Sequence, residues 1–316
     1  MPEWLIEEGI GEHRAVLFDR GEIVAAKIDW PGTLAPGLVE DAVLVSRTAG
    51  STRGTARFAS GEEALVDGLP REASEGGAIR LIVTRSAIPE RQRRKLARAR
   101  PTTEQPRPAP SLAKALGAKV VQSFDGWDEL WTEAVQGTVE FAGGSLTVEP
   151  AAALTAIDID GTLPPRELAL AAVPAIARTI RRFDLAGSIV IDFPGIEQKA
   201  DRSAIGAALD HALAAWPHER TAMNGFGLVQ IVARRERPSL PERFARPADA
   251  AARLLLRRAE RVNEPGALLL TCPAAVRRAI HNDWEAQLAR RCGREIRWQV
   301  EDGLAPWAVF AQAVAA

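Results

Sequence analysis

Two stretches of the sequence decide the fold: GGSLTVEPAAALTAIDIDG at 143–161 and GSIVIDFPG at 187–195. The first predicts a β-hairpin that turns at Gly143-Gly144 and leads into an apolar strand, and the second predicts another apolar strand. The segment between them, PPRELALAAVPAIARTIRRFD, has apolar residues at helical spacing and predicts an amphipathic helix. Strands that alternate with helices in this way indicate an α/β unit built around a mixed sheet.

The residues that precede this unit have a different pattern. In the first hundred residues, short apolar runs are separated by turns, as in RAVLFDRGEIVAAKIDW with its turn at Asp19-Arg20-Gly21. Several short strands of this kind predict a small β-barrel of the OB type. The following segment, PERQRRKLARARPTTEQPRPAP at 89–110, is basic and then rich in proline. It predicts a basic helix that runs into a linker.

We therefore expect an α+β protein with an N-terminal OB-like barrel module, a central mixed α/β domain and a C-terminal α/β small domain. The expected division is 1–100 for the N-terminal strands and the barrel, 101–112 for a Pro-rich basic linker, 113–240 for the central domain and 241–316 for the small domain.

The composition is that of an ordinary folded protein. Of the 316 residues 47% are hydrophobic and 26% are charged, with a formal net charge of −1, which argues against disorder of the whole chain. We expect no membrane span, because no apolar run reaches about eighteen residues, and the acidic N-terminus does not resemble a secretory signal. Cys272 and Cys292 are too isolated for a zinc knuckle or a disulfide framework. A cytoplasmic protein is expected.

Three aspartates lie in or at the ends of the two apolar strands. Asp158 and Asp160 share one face of the first strand, and Asp192 ends the second. A carboxylate within so apolar a run is costly unless it is paired or binds a metal. If the strands are neighbours, Asp158 and Asp192 offer the hard oxygen ligands that Mg²⁺ prefers, and Mg²⁺ can activate a water for attack on a phosphodiester. The alternative is that Asp160-Gly161 is a turn and Asp192 an ordinary carboxylate at a strand end.

Two clusters of basic residues predict contacts with phosphate groups. Between Arg85 and Arg107 there are eight basic residues against two acidic ones, and a second cluster of five arginines follows Phe226. The alternative is a solvated linker or helix face. The candidates for nucleic-acid binding are Arg91, Arg93, Arg94, Lys95, Arg234, Arg235 and Arg237.

Three strings follow one another in an informative order: GGSLTVEPAAALTAIDIDG, IARTIRRFDLAGSIVIDFPGI at 176–196 and GFGLVQIVARRERPSL at 225–240. Together they resemble the active-site strand, the next helix and strand, and the Arg-x-Arg-x-Ser-Leu strand of the ribonuclease E/G family. The agreement in order and spacing covers roughly residues 118 to 240. Residues 12–29 resemble the first strands of the family, residues 38–86 its OB-fold module and, more weakly, residues 248–305 its C-terminal small domain.

The resemblance implies endonucleolytic hydrolysis of single-stranded RNA by a Mg²⁺-activated water, which leaves a 5′-phosphate and a 3′-hydroxyl. Residues 113–240 then correspond to the catalytic domain. Asp158 and Asp192 match the two metal-binding aspartates. Asp160 stands where the family usually has an asparagine that orients the phosphate or the attacking water.

The chain also departs from the family pattern. Pro194-Gly195 replaces a second acid after the Ile-Asp-Phe motif, and Gly225 stands where a phosphate-binding arginine is usual. The segment that holds the family's pocket for the RNA 5′-monophosphate is much shortened, and no counterpart of that pocket is found. The zinc-linking Cys-Pro-x-Cys is missing as well, so no zinc-linked dimer is expected.

Three hypotheses follow. The leading one is a reduced endoribonuclease that does not depend on the RNA 5′ end, and the alternative is a non-catalytic RNA-binding relative that kept the fold. The third, an α/β protein unrelated to RNA, predicts no affinity for single-stranded RNA at low salt, whereas the other two predict salt-sensitive binding.

Overall fold

The computed structural model describes residues 1–90 and 94–315 of the chain. Its first three strands form an antiparallel meander: Glu3–Gly9 (β1), Glu12–Asp19 (β2) and Glu22–Asp29 (β3). The predicted hairpin between β2 and β3 is confirmed, with φ of 53° at Arg20 and 86° at Gly21. Two successive positive φ angles are what a type I′ hairpin turn requires.

The next part of the chain closes a five-stranded β-barrel, as the sequence predicts. Its interior is filled by its own apolar cluster, which includes Leu44, Phe58 and Leu81. The strands of this part are Val39–Arg47 (β4), Gly54–Arg57 (β5), Glu63–Val66 (β6), Ala78–Arg85 (β7), Ile88–Pro89 (β8), Arg94–Lys95 (β9) and Ala97–Pro101 (β10). The barrel has the strand order β10-β6-β5-β4-β7, and β8 pairs with β9 outside it. The assignment of this barrel to the OB type stays a prediction.

The predicted basic helix is wrong, because β10 occupies its second half. Ala97 and Ala99 are buried in the barrel while Arg98 and Arg100 are exposed, which is the two-residue period of a strand. The proline-rich residues that follow are attached to the barrel, since Arg107 exchanges backbone hydrogen bonds with Val39.

The central part of the chain forms a mixed six-stranded sheet with helices. The elements of this part are Leu112–Leu116 (α1), Lys119–Val120 (β11), Trp127–Gln136 (α2), Thr138–Phe141 (β12), Gly144–Pro150 (β13), Thr155–Gly161 (β14), Pro165–Arg182 (α3), Gly187–Asp192 (β15), Lys199–Leu213 (α4), Glu219–Arg220 (β16) and Leu228–Ala233 (β17). The strand order in the sheet is β12-β13-β14-β15-β17-β16. The strand β11 pairs instead with β1 of the N-terminal meander. The predicted hairpin, both apolar strands and the helix between them are therefore confirmed.

The two faces of this sheet have different surroundings. Leu146, Ile157 and Ile191 are buried in one cluster with Ile176 of α3. Alternate residues point away from that core, so the opposite face carries Asp158, Asp160, Asp192 and Gln230, all of them exposed.

The last part of the chain is a smaller α/β layer. Its elements are Leu240–Arg243 (α5), Pro247–Glu260 (α6), Ala267–Cys272 (β18), Ala274–Ala279 (α7), Asn282–Cys292 (α8), Ile296–Val300 (β19) and Phe310–Val314 (β20). The three strands form a sheet with the order β19-β18-β20. Two residues, Ile280 and His281, separate α7 from α8. Within residues 1–90 and 94–315, none of the helices is both long and apolar enough to span a bilayer.

The N-terminal meander packs against the later parts of the chain and lies outside the barrel. Val16, Ile23 and Ile28 belong to the same buried cluster as Ile157 and Ile176 of the central domain. The meander thus contributes to the core that supports the central sheet.

Candidate active site

Two aspartates lie side by side on neighbouring strands. β14 and β15 pair in parallel, with Asp158 opposite Asp192, and the preceding pair, Ile157 and Ile191, is buried in the core. Neighbouring strands are about 4.8 Å apart and paired residues point to the same side of the sheet. The structure therefore brings together two carboxylates that the sequence places on separate strands, close enough to share one ion.

The apolar residues fix this register. Shifting β14 by one residue would turn Asp158 towards the core and Ile157 towards water, because successive side chains point to opposite faces. Ile157 is fully buried and Ile159 is 5% exposed, so such a shift would expose both, at a cost of about 1.5–3 kcal/mol for each side chain of this size. The hydrophobic core thus determines the position of the acid pair.

Asp160 lies beside the pair. It shares the exposed face of β14 with Asp158 and is opposite Ser145 of β13. Two residues of strand span about 6.6 Å, so Asp160 is near enough to act through a water. Among the described residues, no group of three His, Cys, Asp or Glu side chains is arranged to hold a metal ion. Two carboxylates with several open positions still fit Mg²⁺, which keeps several of its waters and takes one or two carboxylates from a protein.

A tight turn adjoins the Asp192 end of β15. The side-chain oxygen of Asn224 accepts hydrogen bonds from the backbone N–H groups of Phe226 (2.9 Å) and Leu228 (3.0 Å). The N–H of Phe193 donates to the carbonyl of Gly227 at 3.2 Å. Gly227 has a φ of 87°, and a Cβ there would lie 2.6 Å from the carbonyl oxygen of Phe193. Only glycine fits this close approach.

The turn exposes an aromatic side chain that the sequence analysis missed. Phe226 is 86% exposed and lies two residues before Leu228, the strand partner of Asp192. The available signal was the pattern Gly-Phe-Gly, in which two glycines flank one large side chain at a strand start. An exposed ring at this end of the sheet offers a surface on which a base can stack.

The model of the Ribonuclease E/G family matches residues 83–236, a range that contains the acid pair and the adjoining turn. Residues 83–236 of this chain belong to the ribonuclease E/G family. No curated protein matches it. Membership of the ribonuclease E/G family implies ribonuclease-type RNA processing and an RNA substrate.

Two positions at which this family member departs from the usual pattern are sterically open. A Cβ at Gly195 or at Gly225 would meet nothing within 4 Å. Neither glycine is therefore needed to avoid a clash with a neighbouring group. What the chain lacks at these positions is a charged group, an acid at Gly195 and an arginine at Gly225.

The basic residues predicted to bind RNA on the barrel side have protein partners. Arg94 is 3.1 Å from Glu62, and Lys95 is 2.7 Å from Glu90. The ammonium group of Lys95 also donates to the carbonyl of Ala152. Their role towards RNA stays a prediction, and Arg91 and Arg93 lie outside the described residues.

The arginines that follow β17 differ in their exposure. Arg234 is exposed and lies 3.3 Å from Glu236, whereas the side chain of Arg235 is mostly buried and lies 2.6 Å from Glu242. Arg237 is half-buried. Of the three, Arg234 is the most accessible to a nucleic acid, while Arg235 mainly connects β17 to α5.

Proposed function

We propose that this ribonuclease E/G family member is a Mg²⁺-dependent endonuclease that hydrolyses single-stranded RNA to 5′-phosphate and 3′-hydroxyl ends. The observation that supports the proposal most strongly is the parallel register of Asp158 and Asp192 on an exposed face. An open sheet face admits a polymer, and both carboxylates are accessible on that face to a phosphodiester.

Each of the three aspartates has a part in this proposal. Asp158 and Asp192 would hold the Mg²⁺ ion. Bound Mg²⁺ supplies an activated water and stabilises the charge that develops on the phosphate. Asp160, on the same face, accepts a hydrogen bond from the attacking water and orients it. In the free protein this acid adds negative charge towards an anionic substrate, which a cation at the pair would offset.

RNA binding is assigned to the OB-like barrel and to the basic residues around the central sheet. Arginine and lysine neutralise backbone phosphates, and each phosphate contact makes the affinity fall as salt rises. The proposed contacts are Arg91, Arg93, Arg94, Lys95, Arg234, Arg235 and Arg237. A zinc-linked dimer is not part of the proposal.

A second candidate, a non-catalytic RNA-binding relative, is favoured by two features of the site. Asp160 replaces a neutral asparagine, and Gly225 leaves open the place of a phosphate-binding arginine. A protein of this kind would bind RNA through the same surfaces but would not cleave it.

The test is cleavage of a 5′-labelled, AU-rich single-stranded RNA with and without Mg²⁺ by the wild type, Asp158→Asn and Glu140→Gln. Glu140 is the matched control, because it is an exposed acid on the same sheet, two strands away from β14. We expect Mg²⁺-dependent cleavage by the wild type and Glu140→Gln and none by Asp158→Asn. Equal cleavage by Asp158→Asn would refute the site. A pure wild-type protein that binds RNA and does not cleave it would establish the second candidate.

A further inference from the structure

A second charged region lies far from the acid pair, where the barrel, the N-terminal meander and α6 meet. It is a cleft of about 150 Å³. Its described charged lining consists of four arginines and two aspartates: Arg94, Arg243, Arg246, Arg253, Asp29 and Asp249. Four positive and two negative charges give the lining a net charge of +2.

Two of these arginines, the buried Arg243 and the half-buried Arg253, form no ion pair with a carboxylate in the described part of the chain. Arg243 is 4% exposed, and burial lowers the pKa of Arg243 and of Arg253 to about 10, so both stay charged at neutral pH. No acidic side chain of the described residues lies within 4.0 Å of either guanidinium group. A buried charge without a direct ion pair is costly. The negative charges of Asp29, Glu12 and Asp249 offset part of this cost from a longer distance, so both guanidinium groups stay open to a closer anion.

Neutral contacts hold the two guanidinium groups in place. Arg253 lies 3.8 Å from the ring centre of Trp30, and Arg243 lies 4.9 Å from it. Arg243 donates to the carbonyl of Ile28 at 2.6 Å, yet its Nε is buried with no hydrogen-bond partner among the described residues. Cation–π contacts and carbonyl acceptors orient the groups without neutralising them.

The start of α6 adds to the positive potential. The helix begins at Pro247 beside the cleft, and no side chain caps its N-terminus at Arg246. The N-terminal end of a helix carries about half a positive charge. Asp249 in the first turn offsets part of it and is 3.1 Å from Arg246.

We propose that this arginine cleft binds a single phosphate group. Guanidinium forks match the geometry of phosphate oxygens and can donate two hydrogen bonds to one of them. The volume suits a small anion, because a water takes about 30 Å³ of liquid and sites for drug-sized ligands begin at about 300 Å³. The phosphate comes either from RNA or from free phosphate.

The cleft is separate from the acid pair. Asp192 is opposite Leu228 at the beginning of β17, whereas the cleft-lining Pro238 follows the end of that strand at Ala233. The length of β17 alone separates the acid pair from the cleft by roughly 17 Å. Binding in the cleft is therefore independent of whether the acid pair cleaves RNA.

The test measures the Tm of the full-length protein in potassium phosphate and in potassium chloride at equal ionic strength. A ligand that binds only the folded state raises the Tm. Arg246→Gln is the test variant, because the Arg246 side chain is 56% exposed and forms only a surface ion pair, so the variant folds. Arg166→Gln is the matched control. Arg166 lies at the start of α3, and its side chain is 55% exposed and 2.8 Å from Asp201 of α4.

We expect phosphate to raise the Tm of the wild type and of Arg166→Gln by about 3 °C, and that of Arg246→Gln by less than half as much. An equal rise in all three proteins would be a general salt effect and would overturn the proposal, as would no rise in the wild type. Asp158→Asn should keep the full rise, which separates this site from the proposed cleavage.

A second measurement identifies the source of the phosphate. Inorganic phosphate is titrated into a complex of the wild type with labelled single-stranded RNA at constant ionic strength. Displacement that is abolished in Arg246→Gln supports the cleft and identifies RNA as the ligand. A phosphate-dependent rise in Tm without displacement of RNA supports the cleft and identifies free phosphate.

Discussion

The carboxylates at the exposed end of β14 and β15 and the carboxylate of Glu7 illustrate two uses of negative charge. Glu7 is fully buried, and its oxygens contact Arg257 and Arg261 of the last part of the chain and accept a hydrogen bond from the N–H of Phe124 at 3.0 Å. Asp158 and Asp192 are exposed and face each other across a parallel pair of strands.

The difference separates charges that hold the structure together from charges that are available for chemistry. Each oxygen of Glu7 is paired with an internal arginine, so Glu7 cannot bind a ligand without breaking the fold. Two like charges side by side, as at Asp158 and Asp192, gain nothing from each other in the free protein. Such a pair is consistent with a site that a cation completes.

The largest expected effect is on the rate of RNA cleavage, and it tests whether the exposed carboxylates are the ones used for chemistry. Asp192→Asn should lower the cleavage rate by at least about 100-fold, since even the outer partners of metal ligands contribute 10–100-fold. RNA affinity and the free energy of unfolding should stay within about 0.5 kcal/mol of wild type, because the residue is exposed.

A double variant tests whether the two aspartates act as a unit. Asp158→Asn with Asp192→Asn should cleave no more slowly than either single variant, because residues that share one ion are not additive. Reductions in rate that multiply in the double variant would show that the two residues act separately.

Glu7→Gln should have the next largest effect, on stability. Removing one partner of a buried ion pair leaves an uncompensated charge and costs about 3–5 kcal/mol. The free energy of unfolding is measured by urea titration, with the exposed Glu149→Gln as control. If the free energy of unfolding fell by less than about 1 kcal/mol, Glu7 would not stabilise the fold as its burial indicates.

The smallest expected effect concerns the salt dependence of RNA binding. Arg234→Gln with Arg237→Gln should reduce the slope of log affinity against log salt by about 0.7 for each phosphate of the single strand that is no longer neutralised. Binding is measured by fluorescence anisotropy between about 50 and 200 mM salt, with Arg166→Gln as the control. An unchanged slope would show that these two residues do not contact the phosphates of the RNA.

The central sheet could be predicted from the sequence because its signals are local. The alternation of Ile157, Asp158, Ile159 and Asp160 marks one buried and one exposed face, and the glycines at 143 and 144 mark a hairpin. The pairing of Asp158 with Asp192 required only that the two strands be neighbours, which a strand-helix-strand unit favours.

The strand-forming signal near residue 100 was overlooked because two signals conflict there. Alanine and arginine favour helices, whereas the order Ala97, Arg98, Ala99, Arg100 has the period of a strand. Closure of the barrel by β6 and β7 decides between them, and that pairing is not local. The arginine cleft could not be predicted for the same reason, since Trp30, Arg94 and Arg253 come from three distant parts of the chain.

The contact between Glu7 and Arg261 joins residues 254 positions apart. A ribosome that adds about 5–20 residues per second reaches Arg261 roughly 13 to 51 s after Glu7. During that interval the first strand has left the ribosome without the arginines that neutralise it. The nascent chain therefore cannot complete its N-terminal layer until α6 has been synthesised, and a chain that terminates early would keep its first strand exposed to chaperones and proteases.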